Sequence, residues 1–248
     1  MDLQEPTIDR DQILFLDDPN FSLKNVCIVT GCASGIGRAT AVAAAANGLQ
    51  VVGLDQDADG AQKTVDIAAG FGGKVEFVKT DLTHDDQVEG AVAEAAKMGI
   101  IKYLANIAGI QHIDAVEDFP MEKYDLMQSL MLRAPFLLAK LCLPHMKSSA
   151  DGSGVVGNMA SIHAHICTIH KPVYNITKFG LRGLTQSIAA EGEGRVRAFS
   201  VSVGFVKTPL ALKQIPAQAE QRGISQEAVV RDVMMGASRT KEMMTPIE

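Results

Sequence analysis

The sequence predicts an α/β protein: one parallel sheet with helices covering both of its faces. Three observations predict it. Short, nearly continuous apolar runs recur along the chain, as strands buried on both faces require. Segments of helical composition separate them, the alternation of strand–helix–strand units. A glycine-rich turn joins the first run to the first helix. The 248 residues, 47% hydrophobic and 21% charged, suffice for a single domain with a sizeable core.

Each element follows from local composition. Val26-Cys27-Ile28-Val29 reads as the first strand, and Gly31 to Gly37 as a loop before an alanine-rich helix through Ala46. Asn47-Gly48 stops that helix. Leu49 to Leu54 is the second strand, Ala58 to Ala69 a helix, Val75 to Lys79 the third strand, and Asp85 to Met98 the next helix. Tyr103 to Asn106 is the fourth strand. A long helix is expected from Met121 to Lys147, broken near Pro135, where a proline lacks the N–H that the ladder needs. Strands at Gly154 to Met159 and Arg197 to Ser202 flank a helix at Val173 to Glu191.

The front and back of the chain stand apart. Residues 1–23 carry six acids and one arginine, so most of the formal net charge of −6 lies there. That segment is read as an N-terminal extension, with Ile13 to Leu16 able to dock on a catalytic domain spanning 24–248. Thr245-Pro246 reads as a helix start, a cap followed by proline at the first position.

Charge and composition narrow the function classes. The acidic balance argues against a nucleic-acid binder. The N-terminus is acidic without an apolar core, unlike a signal peptide. The apolar stretch Ala39 to Ala46 falls well short of the roughly 18 residues of a membrane span. Cysteines 27, 32, 142 and 167 lack tight repeated spacing and read as reduced thiols of a cytoplasmic protein.

Chemistry concentrates in two places. Thr30-Gly31-Cys32-Ala33-Ser34-Gly35-Ile36-Gly37 lies between strand and helix, where glycines admit a pyrophosphate and the helix N-terminus offers free N–H donors. Asp55 ends the second strand, placed to bond the ribose hydroxyls of NAD and to repel the 2′-phosphate of NADP. The alternative is that Asp55 only opens the following turn. Asp81 could contact the adenine or cap the next helix. Further on, Ser161 precedes Tyr174 and Lys178, whose i, i+4 spacing puts both side chains on one helix face. An ammonium beside a phenol favours the phenolate and is expected to lower the Tyr174 pKa. Such a tyrosine exchanges a proton with an alcohol or ketone oxygen, with Ser161 holding that oxygen.

Taken together, Thr30-Gly-x-x-x-Gly-Ile-Gly37, Asn106-Ile-Ala-Gly109, Ser161 and Tyr174-x-x-x-Lys178 make the chain resemble the short-chain dehydrogenase/reductase family from about Lys24 onward. The resemblance implies a Rossmann-type doubly wound parallel sheet, an NAD cofactor and a homotetramer or dimer. It implies Tyr174 as acid and base, Lys178 as its activator and nicotinamide-ribose anchor, and Ser161 as orienting group. Asn106, Ala108 and Gly109 would line the cofactor cleft, and Leu82, Gly204, Val206 and Thr208 join the expected cofactor set. The family continues with a further helix and a final strand, so the sheet is expected to lack that last strand. Met131 stands where the family carries an asparagine that holds a relay water, and a thioether donates no hydrogen bond.

Gln111, His163, Lys171 and Gln214 resemble the carboxylate-binding set of the branch acting on D-3-hydroxybutyrate. One cation and three hydrogen-bonding groups suit a small anion. A mobile lid is expected at about 208–240. His163, His165, Cys167 and His170 bring metal-ligating types together, but their spacing matches no zinc pattern and no metal is expected. The expected function is NAD-dependent hydride transfer between a short 3-hydroxy acid and its 3-oxo acid. Alternatives are the same chemistry on another hydroxyl substrate, or a weakly active NAD-binding regulatory protein. No nucleic-acid or membrane partner is expected.

Overall fold

Six strands form one sheet in the order β3-β2-β1-β4-β5-β6, every neighbouring pair parallel. They are β1 (Asn25–Thr30), β2 (Gln50–Asp55), β3 (Lys74–Lys79), β4 (Ile100–Asn106), β5 (Gly154–Met159) and β6 (Val196–Val201). The order reverses between β1 and β4, which opens the crevice where α/β sheets of this kind bind ligands. This computed structural model describes residues 4–236 and 238–248. The first three residues of the expected extension and Ala237 of the expected lid lie outside the described residues.

Helices α1 (Gly35–Ala46) and α2 (Ala58–Gly70) cover one face, packing Ala41, Val42 and Ala61 on Val29 and Val51. Helices α3 (Asp85–Met98), α4 (Met121–Gln128), α5 (Ala134–Ser148) and α6 (Pro172–Glu191) cover the other, over Ile28, Leu104 and Val156. The central strand β1 is buried along its whole length, while the edge strand β6 buries only Val196 and then alternates exposed with partly buried residues. That is why the apolar runs were legible in the middle of the sheet and fainter at its edge.

Most element ends fall within a residue of expectation. Helix α1 is an exception, since it starts at Gly35, inside the expected loop, and so presents the last glycines as its first turn. Strand β4 begins three residues earlier than its apolar run. Lys102 interrupts that run but sits at a register shift opposite Val26 and Cys27. Its ammonium is buried against the Asp151 carboxylate and donates to Ser153 Oγ at 2.7 Å.

The long helix does not break at Pro135. Between α4 and α5 lies a π-helical turn, Ser129–Arg133, closed by the Ala134 N–H donating to the Ser129 carbonyl five residues back. The wider turn accommodates the proline ring without ending the helix. Met121–Ser148 as a whole is long and apolar enough by composition to cross a membrane, yet Leu130, Ala134, Leu138 and Met146 pack it into the core over the sheet.

Ile13 of the extension is buried against the α1 face. Leu16 N–H donates to Asn47 Oδ1 at 2.8 Å, and Asn47 Nδ2 returns a bond to the Leu14 carbonyl at 3.1 Å. Helix α7 (Pro209–Arg222), the short α8 (Gln226–Ala228) and a π turn at Val229–Met234 share a small core of their own around Ile215 and Val229. The expected helix start at Thr245 is a turn instead: Glu248 Oε2 accepts from Thr245 N–H and Oγ1–H at 2.7 and 2.9 Å.

Candidate active site

The site opens where β1 ends. Gly31 has φ +71° and runs so close to the end of β4 that an added Cβ would stand 2.9 Å from Ala108 Cα. Thr30 Oγ1 fixes that approach by accepting the N–H groups of Ile107 and Ala108 at 2.8 and 3.1 Å. A Cβ on Gly37 would fall 1.9 Å from the Gly31 carbonyl oxygen. This backbone cradle admits no side chains, which is the surface a pyrophosphate needs beside a helix N-terminus. At the end of β2, Asp55 accepts from Ala33 N–H at 3.0 Å and Asp57 N–H at 3.1 Å, which fixes its carboxylate at the expected ribose end of the crevice. A nicotinamide dinucleotide fits these residues.

One cavity of about 340 Å³ runs from Asp55 to Gln214. Of the expected site residues, all but two line it, including Ser161, Tyr174, Lys178 and the four expected substrate residues. The exceptions are Asn106 and Asp81. Asn106 turns into the sheet, its Nδ2 donating to Asn158 Oδ1 of β5 at 2.8 Å. Asp81 is engaged locally: its carboxylate accepts from Thr83 N–H and Oγ1–H at 2.9 and 2.7 Å, which holds it below the ordinary carboxylate pKa. His84 holds the N-cap position of α3 without a side-chain cap bond, and Thr80 and Leu82 line the cavity on either side of Asp81.

At the other end the expected acid–base group is closely buried. Lys178 Nζ lies 5.3 Å from the centroid of the Tyr174 ring and donates to the Met159 carbonyl at 2.7 Å. Burial lowers the Lys178 pKa to about 8. The Tyr174 pKa is raised rather than lowered, because burial outweighs the hydrogen bond from Ser161. The expected sign was set by the lysine charge alone, whereas loss of water around the phenolate is the larger effect here. Ser161 Oγ also bonds His163 Nδ1 at 3.1 Å, and His163 Nε2 bonds Thr168 Oγ1 at 2.8 Å. Burial first, then the charges of Lys171 and Lys178, lower the His163 pKa to about 4, so this ring is neutral at pH 7.

Phe205 was missed by sequence reasoning. It follows Gly204 in the loop after β6, lines the cavity, and has Lys171 Nζ 5.5 Å from its ring centroid. Only its place beside the expected cofactor residues could have flagged it. Gln214 holds its Nε2 to the Leu210 carbonyl at 3.0 Å, which leaves Oε1 buried without a partner. Gln111 Nε2 bonds the His112 carbonyl at 2.9 Å. Among the described residues no group of three or more His, Cys, Asp or Glu is placed to hold a metal ion. His163 and His165 instead bond Thr168 and Ser202.

A parallel sheet with a glycine cradle at its switch point and a buried tyrosine–lysine pair in the same cavity defines a dinucleotide-dependent oxidoreductase. The chain belongs to the short-chain dehydrogenase family, whose model matches residues 25–219. It is 34% identical over 227 residues to a D-beta-hydroxybutyrate dehydrogenase of Rhizobium meliloti, covering 90% of this chain and 87% of that protein. A second D-beta-hydroxybutyrate dehydrogenase, from Cupriavidus necator, is also 34% identical, over 89% of this chain and 86% of its own length. Among solved structures, a variant of actinorhodin polyketide ketoreductase with NADPH superposes with TM-score 0.85 at 22% identity, over 90% of this chain and 86% of its own. A proposed NAD(P)-dependent gluconate 5-dehydrogenase from Beutenbergia cavernae, with bound NADP, gives 0.78 at 26% identity, over 92% and 87%. The chain is thus an oxidoreductase of this family, built for a nicotinamide cofactor and resembling 3-hydroxybutyrate dehydrogenases.

Proposed function

We propose that the protein interconverts a short 3-hydroxy acid, such as D-3-hydroxybutyrate, and its 3-oxo acid, using NAD. The observation that carries this reading is Lys171, a half-buried cation lining the catalytic cavity beside Gln111, His163 and Gln214. A carboxylate placed there meets the Lys171 ammonium in a cavity that Gln111, His163 and Gln214 also line, which suits an acid better than a neutral alcohol. Asp55 supports NAD, since its carboxylate would face the extra phosphate of NADP.

When bound, the nicotinamide accepts or gives the hydride. The rest of the chemistry belongs to the chain. Ser161 donates to the substrate oxygen and keeps it beside the Tyr174 hydroxyl. Tyr174 Oη takes the hydroxyl proton in oxidation and returns it in reduction. Lys178 stabilises the phenolate and anchors the ribose. The 208–240 segment acts as a lid that excludes water. Exposed Leu126, Phe136, Ile176 and Phe179 on α4, α5 and α6 support a homodimer or homotetramer, in the cytoplasm.

The test is a substrate panel. Reduction of NAD with D-3-hydroxybutyrate should exceed that with neutral alcohols and sugars, and NAD should exceed NADP. A preference for neutral substrates would remove the acid assignment while leaving the family intact.

A further inference from the structure

The acidic N-terminal segment has no role in the reaction described above, yet it reaches the cofactor cradle. Glu5 Oε1 accepts from the N–H of Gly35, the first residue of α1. Its Oε2 pairs with Arg38 Nη1 at 2.9 Å, with both side chains largely buried. Ser34, at the N-cap position of α1, makes no side-chain cap bond, so Glu5 takes the place that a capping oxygen would fill. The same guanidinium is held over the cradle by Thr64 Oγ1 at 3.1 Å and by the Ala33 carbonyl. Ala33 is also the residue whose N–H bonds Asp55. Arg38 and Asp55 therefore bond the two sides of the same residue.

Two lysines, Lys171 and Lys178, are the basic residues of the cavity lining, and both sit at its catalytic end. The ribose end is lined by Leu54, Asp55 and Gln56. Arg38 is a cation close to that end, and Glu5 pairs with it, whereas Lys79, in register with Asp55 across β2 and β3, is exposed and lies outside this pair.

We propose that Glu5 is a cofactor-specificity residue: by pairing with Arg38 and the Gly35 N–H, it withholds positive charge from the ribose end and so disfavours the 2′-phosphate of NADP. The inference rests on the NAD reading and deepens it, because Asp55 repels the phosphate while Glu5 removes one of the charges, that of Arg38, that would offset that repulsion. The extension then serves selection from outside the cavity. The charge is partly buried, so it acts at short range with less screening than a surface pair.

The experiment titrates NADH and NADPH by fluorescence against wild type, Glu5→Gln and Glu5→Ala, alongside kcat/KM with NAD and NADP. Glu5→Gln removes the charge and keeps one oxygen, enough to accept from the Gly35 N–H though not from Arg38 as well, so the segment keeps an anchor even where Glu5→Ala loosens it. Wild type should bind NADH more tightly. Both variants should tighten NADPH relative to NADH by about fivefold or more, as loss of one short-range repulsive charge predicts, with the gain shrinking at high salt. An NADPH:NADH ratio in Glu5→Gln within twofold of wild type overturns the proposal while the NAD reading stands. Equal tightening of both cofactors also overturns it, since Glu5 would then oppose only the shared phosphates. A wild type that prefers NADPH overturns the NAD reading and this inference with it.

Discussion

Lys178 Nζ sits 5.3 Å from the centre of the Tyr174 ring and is tied to the Met159 carbonyl at 2.7 Å. The lysine is thus fixed by β5 rather than by the phenol it serves. Its place near Tyr174 survives loss of the hydroxyl, which separates the two roles experimentally. Tyr174→Phe should cut turnover by roughly two to four orders of magnitude, the usual worth of a general acid–base group. NADH binding by fluorescence should stay within about threefold of wild type, a shift under 1 kcal/mol. Residual activity near wild type would remove Tyr174 from the chemistry.

The pH dependence has a definite sign. Burial raises the Tyr174 pKa above that of an ordinary phenol, so near neutrality the hydroxyl is protonated and ready to donate to a ketone. Oxidation needs the phenolate, so its rate should climb as pH rises from 6 toward 8. Above about 8, Lys178 loses its charge and with it the attraction for phenolate, so the climb should flatten. Reduction should run the other way, strongest near neutral pH and falling in alkali. Steady-state rates in both directions across that range decide it, and a flat oxidative profile would contradict the assignment.

Lys171 should matter only for acids. Its Nζ packs over Phe205, and burial together with Arg222 lowers its pKa, so the ammonium is poorly hydrated and gains from an anionic partner. Lys171→Met keeps the stem on Phe205 and removes the charge. We expect KM for D-3-hydroxybutyrate to rise roughly 10- to 100-fold, the worth of a charged hydrogen bond of about 1.5–3 kcal/mol. Activity on neutral alcohols should be unchanged. Equal losses on both classes would point to a structural role.

Met131 is fully buried in the π turn region, with its Sδ packed so that a Cβ on Gly109 would meet it at 3.3 Å. A thioether there offers no donor to a proton relay. Met131→Asn should raise kcat for oxidation while lowering thermal stability, since a buried amide costs about 1–3 kcal/mol where it lacks partners. A kcat that stays the same or falls would show that proton exit from Lys178 does not use this position.

How much of this was legible in the sequence depended on distance along the chain. The glycine cradle, Asp55 and the Tyr174–Lys178 spacing are local patterns, and the cavity they line follows from β1, β2 and α6 taking their expected places. Asn106 was misjudged because a strand-end residue can face the crevice or the sheet. Its cross-strand partner Asn158, 52 residues away, decides that. The sign of the Tyr174 pKa was misjudged for the same reason: burial is set by β5 and α6 together, while the sequence displays only the nearby lysine. Lys102 hid the start of β4, because a charge inside an apolar run signals an end unless its partner, Asp151, is known. Glu5 was invisible as a contact of Gly35, since nothing in an acidic segment says where it docks.

The glycines offer a test that separates cradle from scaffold. Gly37 and Gly90 both lie within helices, α1 and α3. At Gly37 a Cβ would stand 1.9 Å from the backbone oxygen of Gly31, and backbone cannot yield as a side-chain tip does. At Gly90, an exposed mid-helix position, a Cβ meets nothing within 4 Å. Gly37→Ala must push the loop off α1, at about 1–3 kcal/mol for overpacking. That should lower Tm by several degrees, given roughly 2–4 °C per kcal/mol at this size. Because the displaced atoms belong to the cradle itself, NADH affinity should fall at least tenfold, about 1.4 kcal/mol. Gly90→Ala should do the opposite, raising Tm through the roughly 0.5–1 kcal/mol that alanine gains over glycine in a helix, with NADH affinity untouched. Melting curves and fluorescence titrations on the two variants check both halves. A Gly37→Ala protein that binds NADH normally would mean that the loop can move aside without cost, and the cradle would lose its claim to hold the cofactor.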